Sequence, residues 1–227
     1  MKTMILDPRT SNKIIYNAEK LGFKVLLAPE ISGIDASVSG HPDMQIVCIE
    51  DNIIVNPASY KYFQKHLRGK NVICGKTEVQ GKYPEYTAYN VALCGNYALH
   101  NFKYTDPVVF DALCGFKKIN VKQSYTKCSV VATPLGIITA DKGIINTVNK
   151  TGLNCIEISQ EDISLSGKEY GFLGGASGYS DGVLYFSGDI TIHKDYEKIK
   201  KFCSKICIEI LCLSNDKLAD IGSIIII

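Results

Sequence analysis

Arginine is scarce in this chain: only Arg9 and Arg68 stand among its 25 basic residues. Paired guanidinium forks for phosphate or carboxylate are therefore few. An excess of one charge is lacking too, since 25 Lys and Arg against 23 Asp and Glu leave a formal charge of +2. That balance argues against a nucleic-acid surface, which usually announces itself as a concentrated basic excess. The four isoleucines at 224–227 fall far short of the ~20 apolar residues that a membrane-spanning helix needs. The opening MKTMILDPRTSNK carries a single short apolar stretch before Asp7 and Pro8, which is not the pattern of a secretory signal.

Cysteine is plentiful, at nine residues, but the number is odd and most sit in apolar strand-like runs such as QIVCIE and NVALC. Without export, these read as reduced thiols of a cytoplasmic protein, serving mainly as small core residues. Cys203, Cys207 and Cys212 lie closest together, yet they lack the C-x-x-C knuckle of a zinc site. No cofactor motif is present either, so neither a metal nor a cofactor is expected. The glycine-rich stretch 171–182 lacks the Gly-Lys-Ser/Thr ending of a phosphate-binding loop and reads as a flexible connection.

What the sequence does contain is a globular composition, 46% apolar and 21% charged over 227 residues, enough for one domain spanning 1–227. It also contains a repeat. MQIVCIE, a turn, IIVNP, the helix ASYKYFQKHL, Gly69 and NVICG form one copy of strand, tight turn, strand, helix, strand. YNVAL, YALHNF, DPVVFDAL and KINVK form a second, and CSVVAT, IITA, residues 141–150 and NCIEIS a third. A fourth reads as GVLYF, ITIH, KDYEKIKKFCSK and ICIEILCLS. Turn residues separate the β-rich runs, and Asn, Asp or Pro stands near the helix starts.

Two pieces remain, one at each end. ADIGSIIII has the look of a first strand, and MKTMIL through KVLLAP supplies a second strand, a helix and a third strand. Placed tail to head they complete a fifth copy, giving a period of roughly 45 residues in 227. The isoleucine tail is then expected to be a core strand that pairs with the N-terminal segment and closes a ring, which also protects its edges.

A ring of five ββαβ modules resembles the pentein fold of arginine deiminases, dimethylarginine hydrolases and amidinotransferases. The expected class is thus α/β, a five-fold pseudosymmetric propeller. GHPDMQI, KYPEYTAYNVALCG, SYTKCSVV, GFLGGASGYSDG and DIGSIIII further resemble a bacterial family assigned to that fold without an established activity. In penteins the module first strands surround a central channel and their ends carry the chemistry. The resemblance implies channel-side positions at His41 and Asp43, Thr87 and Tyr89, Lys127 and Cys128, Ser180 and Asp181, and Asp220. His41-Pro42-Asp43 is similar to the His-x-Asp motif of arginine deiminases.

The resemblance implies an amidinohydrolase- or deiminase-like hydrolase acting on C–N bonds, with Cys128 as nucleophile and His41 moving protons. Asp43, Asp181 and Asp220 would hold a small cationic guanidine or amine. Pentein enzymes usually carry the nucleophile near the C-terminus, whereas DIGSIIII has no cysteine. A binding or assembly protein without catalysis is the alternative, and the oligomeric state is left open.

Overall fold

The computed structural model describes residues 1–160 and 163–227. Its strands form five separate three-stranded sheets, and every sheet has the same plan. The first strand is antiparallel to the middle one, and the middle strand is parallel to the third across a helix. In one sheet these are β3 (Ile46–Ile49), β4 (Asn52–Val55) and β5 (Asn71–Cys74), with α2 (Pro57–His66) between the last two. The next holds β6 (Ala92–Cys94), β7 (Tyr97–His100), α3 (Pro107–Ala112) and β8 (Lys117–Asn120). A short α4 (Thr126–Ser129) leads into β9 (Val130–Thr133), followed by β10 (Gly136–Thr139), α5 (Lys142–Val148) and β11 (Cys155–Glu157). Then come β12 (Ser177–Ser180), β13 (Val183–Phe186), α6 (Tyr196–Lys205) and β14 (Glu209–Cys212).

The fifth sheet is assembled from both ends of the chain. It has the order β15 (Ile225–Ile226), β1 (Thr3–Leu6), β2 (Lys24–Leu27), with α1 (Asn12–Lys20) crossing between the last two. Met4 pairs with Ile226 and Ile5 with Ile225, antiparallel. The tail therefore pairs where the repeat required. Ile224 is buried, while the last three isoleucines are only partly so, because Ile225 and Ile226 face a cavity shared by all five sheets.

Local chemistry starts the helices where the sequence suggested. Asn56 Oδ1 accepts from Ala58 N at 2.9 Å, and Asp141 Oδ1 from Ile144 N at 2.8 Å. Asp106 accepts from the amides of Val108 and Val109, and Ser11 from that of Ile14. Each bond satisfies an amide that a helix start would otherwise leave unpaired. Middle strands are the most buried and third strands the most exposed, as their sequences KKIN and EILC reflect.

The fourth copy departs from its sequence reading. GVLYF is the middle strand, not the first, and ITIH is a short 3-10 turn at Ile190–Ile192. The hairpin tip is Asp181-Gly182, both at positive φ (50° and 82°), a pair that closes a tight two-residue turn. Its first strand, SGYS, carries too little apolar character to signal itself. Nine free thiols and no disulfide are found among the described residues.

Candidate functional site

Three segments distant in sequence end at one place. His41 caps a 3-10 turn, Pro42–Met44, that precedes β3, and Cys128 lies on α4, the helical turn before β9. Asp220 belongs to the loop that leads into β15. All are buried, with His41 and Asp43 each 1% exposed. One ligating atom from each of His41, Asp43 and Cys128 lies within 4.8 Å of the other two.

The bonds fix each group. Cys128 Sγ donates to Asp43 Oδ2 at 3.1 Å, and the Ser223 hydroxyl donates to the same oxygen at 2.6 Å. Asn90 Nδ2 donates to Cys128 Sγ at 3.3 Å, while its Oδ1 accepts the Lys127 amide at 2.7 Å. Asp220 accepts from the amides of Phe172 (2.9 Å) and Gly222 (3.1 Å). The His41 ring lies between two carboxylates, Nδ1 at 3.9 Å from Asp220 and Nε2 at 4.0 Å from Asp7. Asp7 is itself clamped by Arg9, whose Nε and Nη2 reach its two oxygens at 2.8 and 2.6 Å.

Both His41 nitrogens and Asp43 Oδ1 lack a hydrogen-bond partner among the described residues. Buried polar atoms are ordinarily paired, so unpaired ones aimed at a shared space mark where a ligand would complete the set. Burial pushes the Cys128 thiol well above its ordinary value, reinforced by the negative charges of Asp43 and Asp220. The resting side chain is thus a thiol, not a thiolate. Burial also raises the Asp220 carboxyl, with His41 pulling the other way and Asp43 adding to the rise.

His41, Cys128 and Asp220 line the floor of a cavity of about 450 Å³, and Asp43 meets that floor through its bond from Cys128. Tyr83, Tyr86, Tyr125 and Phe172 supply aromatic walls, and Asp35 and Lys168 pair at the rim. Tyr83 and Tyr125 lie 4.7 Å apart between ring centroids, and the Tyr86 and Tyr125 hydroxyls bond to each other. Carboxylates below and ring faces at the side both favour a cation. An imidazole, a carboxylate and a thiol this close also form a donor set for a soft divalent ion such as zinc.

Of the residues singled out from the sequence, His41, Asp43, Cys128 and Asp220 are brought together. Asp181 is not: it sits exposed at the β12–β13 tip, bonded to Lys2, because the first strand of that copy precedes it. Thr87 bonds to Pro84 O, and the Tyr89 hydroxyl donates to Thr77 O, both structural roles. Lys127 faces away from the cluster cavity and lines another. Sequence reasoning missed Asp7, Arg9 and Ser223. Asp7 and Arg9 stand just after β1, the position after a middle strand, where the repeat gave no reason to look.

The stretch 171–182 is not a flexible connection. A β-carbon on Gly175 would lie 2.0 Å from Asp220 Oδ1, and one on Gly174 would lie 2.4 Å from Cys128 O. Glycine is required there because backbone and site residues touch. Gly222, at φ 69°, leaves the same narrow clearance beside His41, where a β-carbon would meet the His41 Cβ at 2.3 Å.

The family profile described as "Family of unknown function (DUF6873)" matches residues 5–225. No curated protein matches the chain by sequence. Among solved structures, a dimethylarginine dimethylaminohydrolase from Pseudomonas aeruginosa, a mutant complexed with citrulline, is similar at a TM-score of 0.57 and 10% identity. That match covers 93% of this chain and 91% of the other. An agmatine deiminase from C. jejuni is similar at 0.55 and 12% identity, covering 94% and 86%. An amidinotransferase from Microseira wollei, of the saxitoxin biosynthetic pathway, gives 0.55 and 10%, covering 93% and 88%. These likenesses show that the fold is that of the penteins.

Proposed function

This chain belongs to the DUF6873 family, and from its site we propose that it binds a small guanidine or amine cation and hydrolyses a C–N bond of it. The observation that carries the reading is the buried His41–Asp43–Cys128 cluster, whose His41 and Cys128 open with Asp220 onto an aromatic-walled cavity. In this reading residues 1–227 are one pentein domain, and the β15–β1 pairing closes a five-bladed propeller.

The cation's planar N–H groups would bond to Asp43 and Asp220. Its positive charge offsets the two carboxylates that hold the thiol protonated, so binding itself favours the thiolate. His41, with a free ring nitrogen, takes the Cys128 proton as Sγ bonds to the guanidinium carbon. The carbon–nitrogen bond breaks with that proton returned to the leaving amine, and water then cleaves the sulfur–carbon bond to regenerate the thiol. Asn90 positions Sγ throughout, and Arg9 holds Asp7 in place beside His41.

A second reading, binding without turnover, is favoured by one observation: the buried Cys128 spends its S–H proton on Asp43 Oδ2, 3.1 Å away. A panel of guanidines and amines, scored by melting temperature and by released ammonia or alkylamine, separates the two. Turnover that vanishes in Cys128→Ser with binding retained supports the hydrolase. Binding without release in either protein supports the second reading. If no cation on the panel binds, both fall.

A further inference from the structure

Lys127 and Cys128 are neighbours on α4 but serve different spaces. Cys128 is part of the floor just described, whereas Lys127 lines a second cavity, of about 360 Å³, to which all five sheets contribute residues. Its walls are aliphatic for the most part: Ile46 and Val47 in β3, Leu93 in β6, Ala132 in β9, and the Ile224–Ile226 tail. Lys127 is the one charged residue lining it.

The Lys127 ammonium makes no hydrogen bond and no ion pair among the described residues. The residue is partly buried, and the carboxylates of Asp43 and Asp220 act on it only at longer range. A cation in such surroundings is costly to keep unless something of opposite charge meets it. The space is adequate for a small ligand, and Lys127 is the one positive charge its walls offer an anion. A carboxylate head with an aliphatic body complements both features at once.

We propose that this second cavity is a binding site for a short aliphatic carboxylate, its head on the Lys127 ammonium and its chain against Leu93 and the isoleucine tail. The site is independent of the reaction proposed for the other cavity. The shared partition gives it a consequence there, since an anion below Lys127 makes the space above more attractive to a cation.

The test uses the full chain with isoleucine methyls labelled for NMR. Hexanoate, hexanamide and hexylamine are titrated separately, and shifts of the Ile46 and Ile224–Ile226 methyls are followed. Hexanoate is expected to saturate those shifts, hexanamide and hexylamine to bind at least tenfold more weakly, and Lys127→Met to lose hexanoate binding by at least tenfold. Equal binding of hexanamide, or no saturable shift with hexanoate, overturns the proposal on the wild-type protein alone. Should Lys127→Met fail to fold, Lys127→Gln replaces it, and undiminished hexanoate affinity in either variant overturns the proposal as well.

Discussion

Cys128 donates its S–H proton to Asp43, 3.1 Å away, across 85 residues of sequence. That bond ties the turn before β9 to the turn before β3, and it makes the state of one group depend on the other. A carboxylate that accepts a thiol's proton holds it in place. The pair is therefore poised for a cation, whose arrival would loosen that hold.

Replacing Asp43 by Asn tests this. Asn keeps an oxygen for the Ser223 and Cys128 donors, removes the charge facing Asp220, and replaces the unpaired Oδ1 with a donor. The melting temperature is expected to hold or rise by roughly 2–4 °C, the shift that about 1 kcal/mol makes in a chain of this size. Affinity for a guanidine or amine should fall. A clear drop in melting temperature with unchanged affinity would reduce Asp43 to a structural residue.

Thiol reactivity offers a second check. In the resting protein, Cys74, Cys114 and Cys207 are exposed and should be alkylated first, while Cys128, 2% exposed and protonated, should be among the last. A saturating cationic ligand that leaves Sγ accessible should speed Cys128 selectively. Peptide mass mapping after limited alkylation ranks the sites, and early labelling of Cys128 without ligand would contradict its assignment as a thiol.

Acid stability should carry the signature of His100. This residue is fully buried, its Nδ1 bonds to the Thr105 hydroxyl at 2.7 Å, and burial lowers its pKa to about 4 from 6.5. The unfolded chain takes up the proton first, so stability present above pH 6.5 is lost as pH falls towards 4. The loss amounts to about 3 kcal/mol at 1.36 kcal/mol per pH unit. His100→Gln should flatten that slope in denaturant melts recorded between pH 7 and 4. An unchanged slope would assign the acid sensitivity to other groups.

The fold was legible because its unit repeats. Alternation in MQIVCIE and IIVNP, the caps Asn56, Asp106 and Asp141, and the unmatched pieces at both ends each pointed to ββαβ copies. The fourth copy misleads because three of the four residues of Ser177–Ser180 are glycine or serine, while Val183–Phe186 is strongly apolar and reads as the first strand. That single shift carried Asp181 from hairpin tip to channel. His41, Asp43, Cys128 and Asp220 could be found because each stands at a module's entrance. Asp7 and Ser223 could not, since their importance comes only from facing His41 and Asp43 across the fold.

Removing Ile224–Ile227 should destabilise the protein strongly. Ile224 is buried and its amide bonds to Ser177 O, and residues 225–227 cover β1. Full burial of one isoleucine is worth roughly 1.5–3 kcal/mol, against a typical total of about 5–15. Circular dichroism melts should show unfolding or aggregation well below the wild-type transition. A truncated chain melting at the wild-type temperature would mean that β15 contributes nothing to the sheet.

The same sheet sets a timetable for synthesis. β1 and β2 leave the ribosome before the other four sheets, yet the strand that covers β1 is translated more than 200 residues later. Throughout that interval the nascent chain carries Met4, Ile5 and Leu6 along an uncovered strand edge, the kind of surface that recruits wrong partners. The four sheets between are each local in sequence and can form as they emerge. Quality control of this fold therefore rests on Ile225 and Ile226, and a ribosome that stalls shortly before them leaves a chain whose defect lies more than 200 residues upstream, at β1.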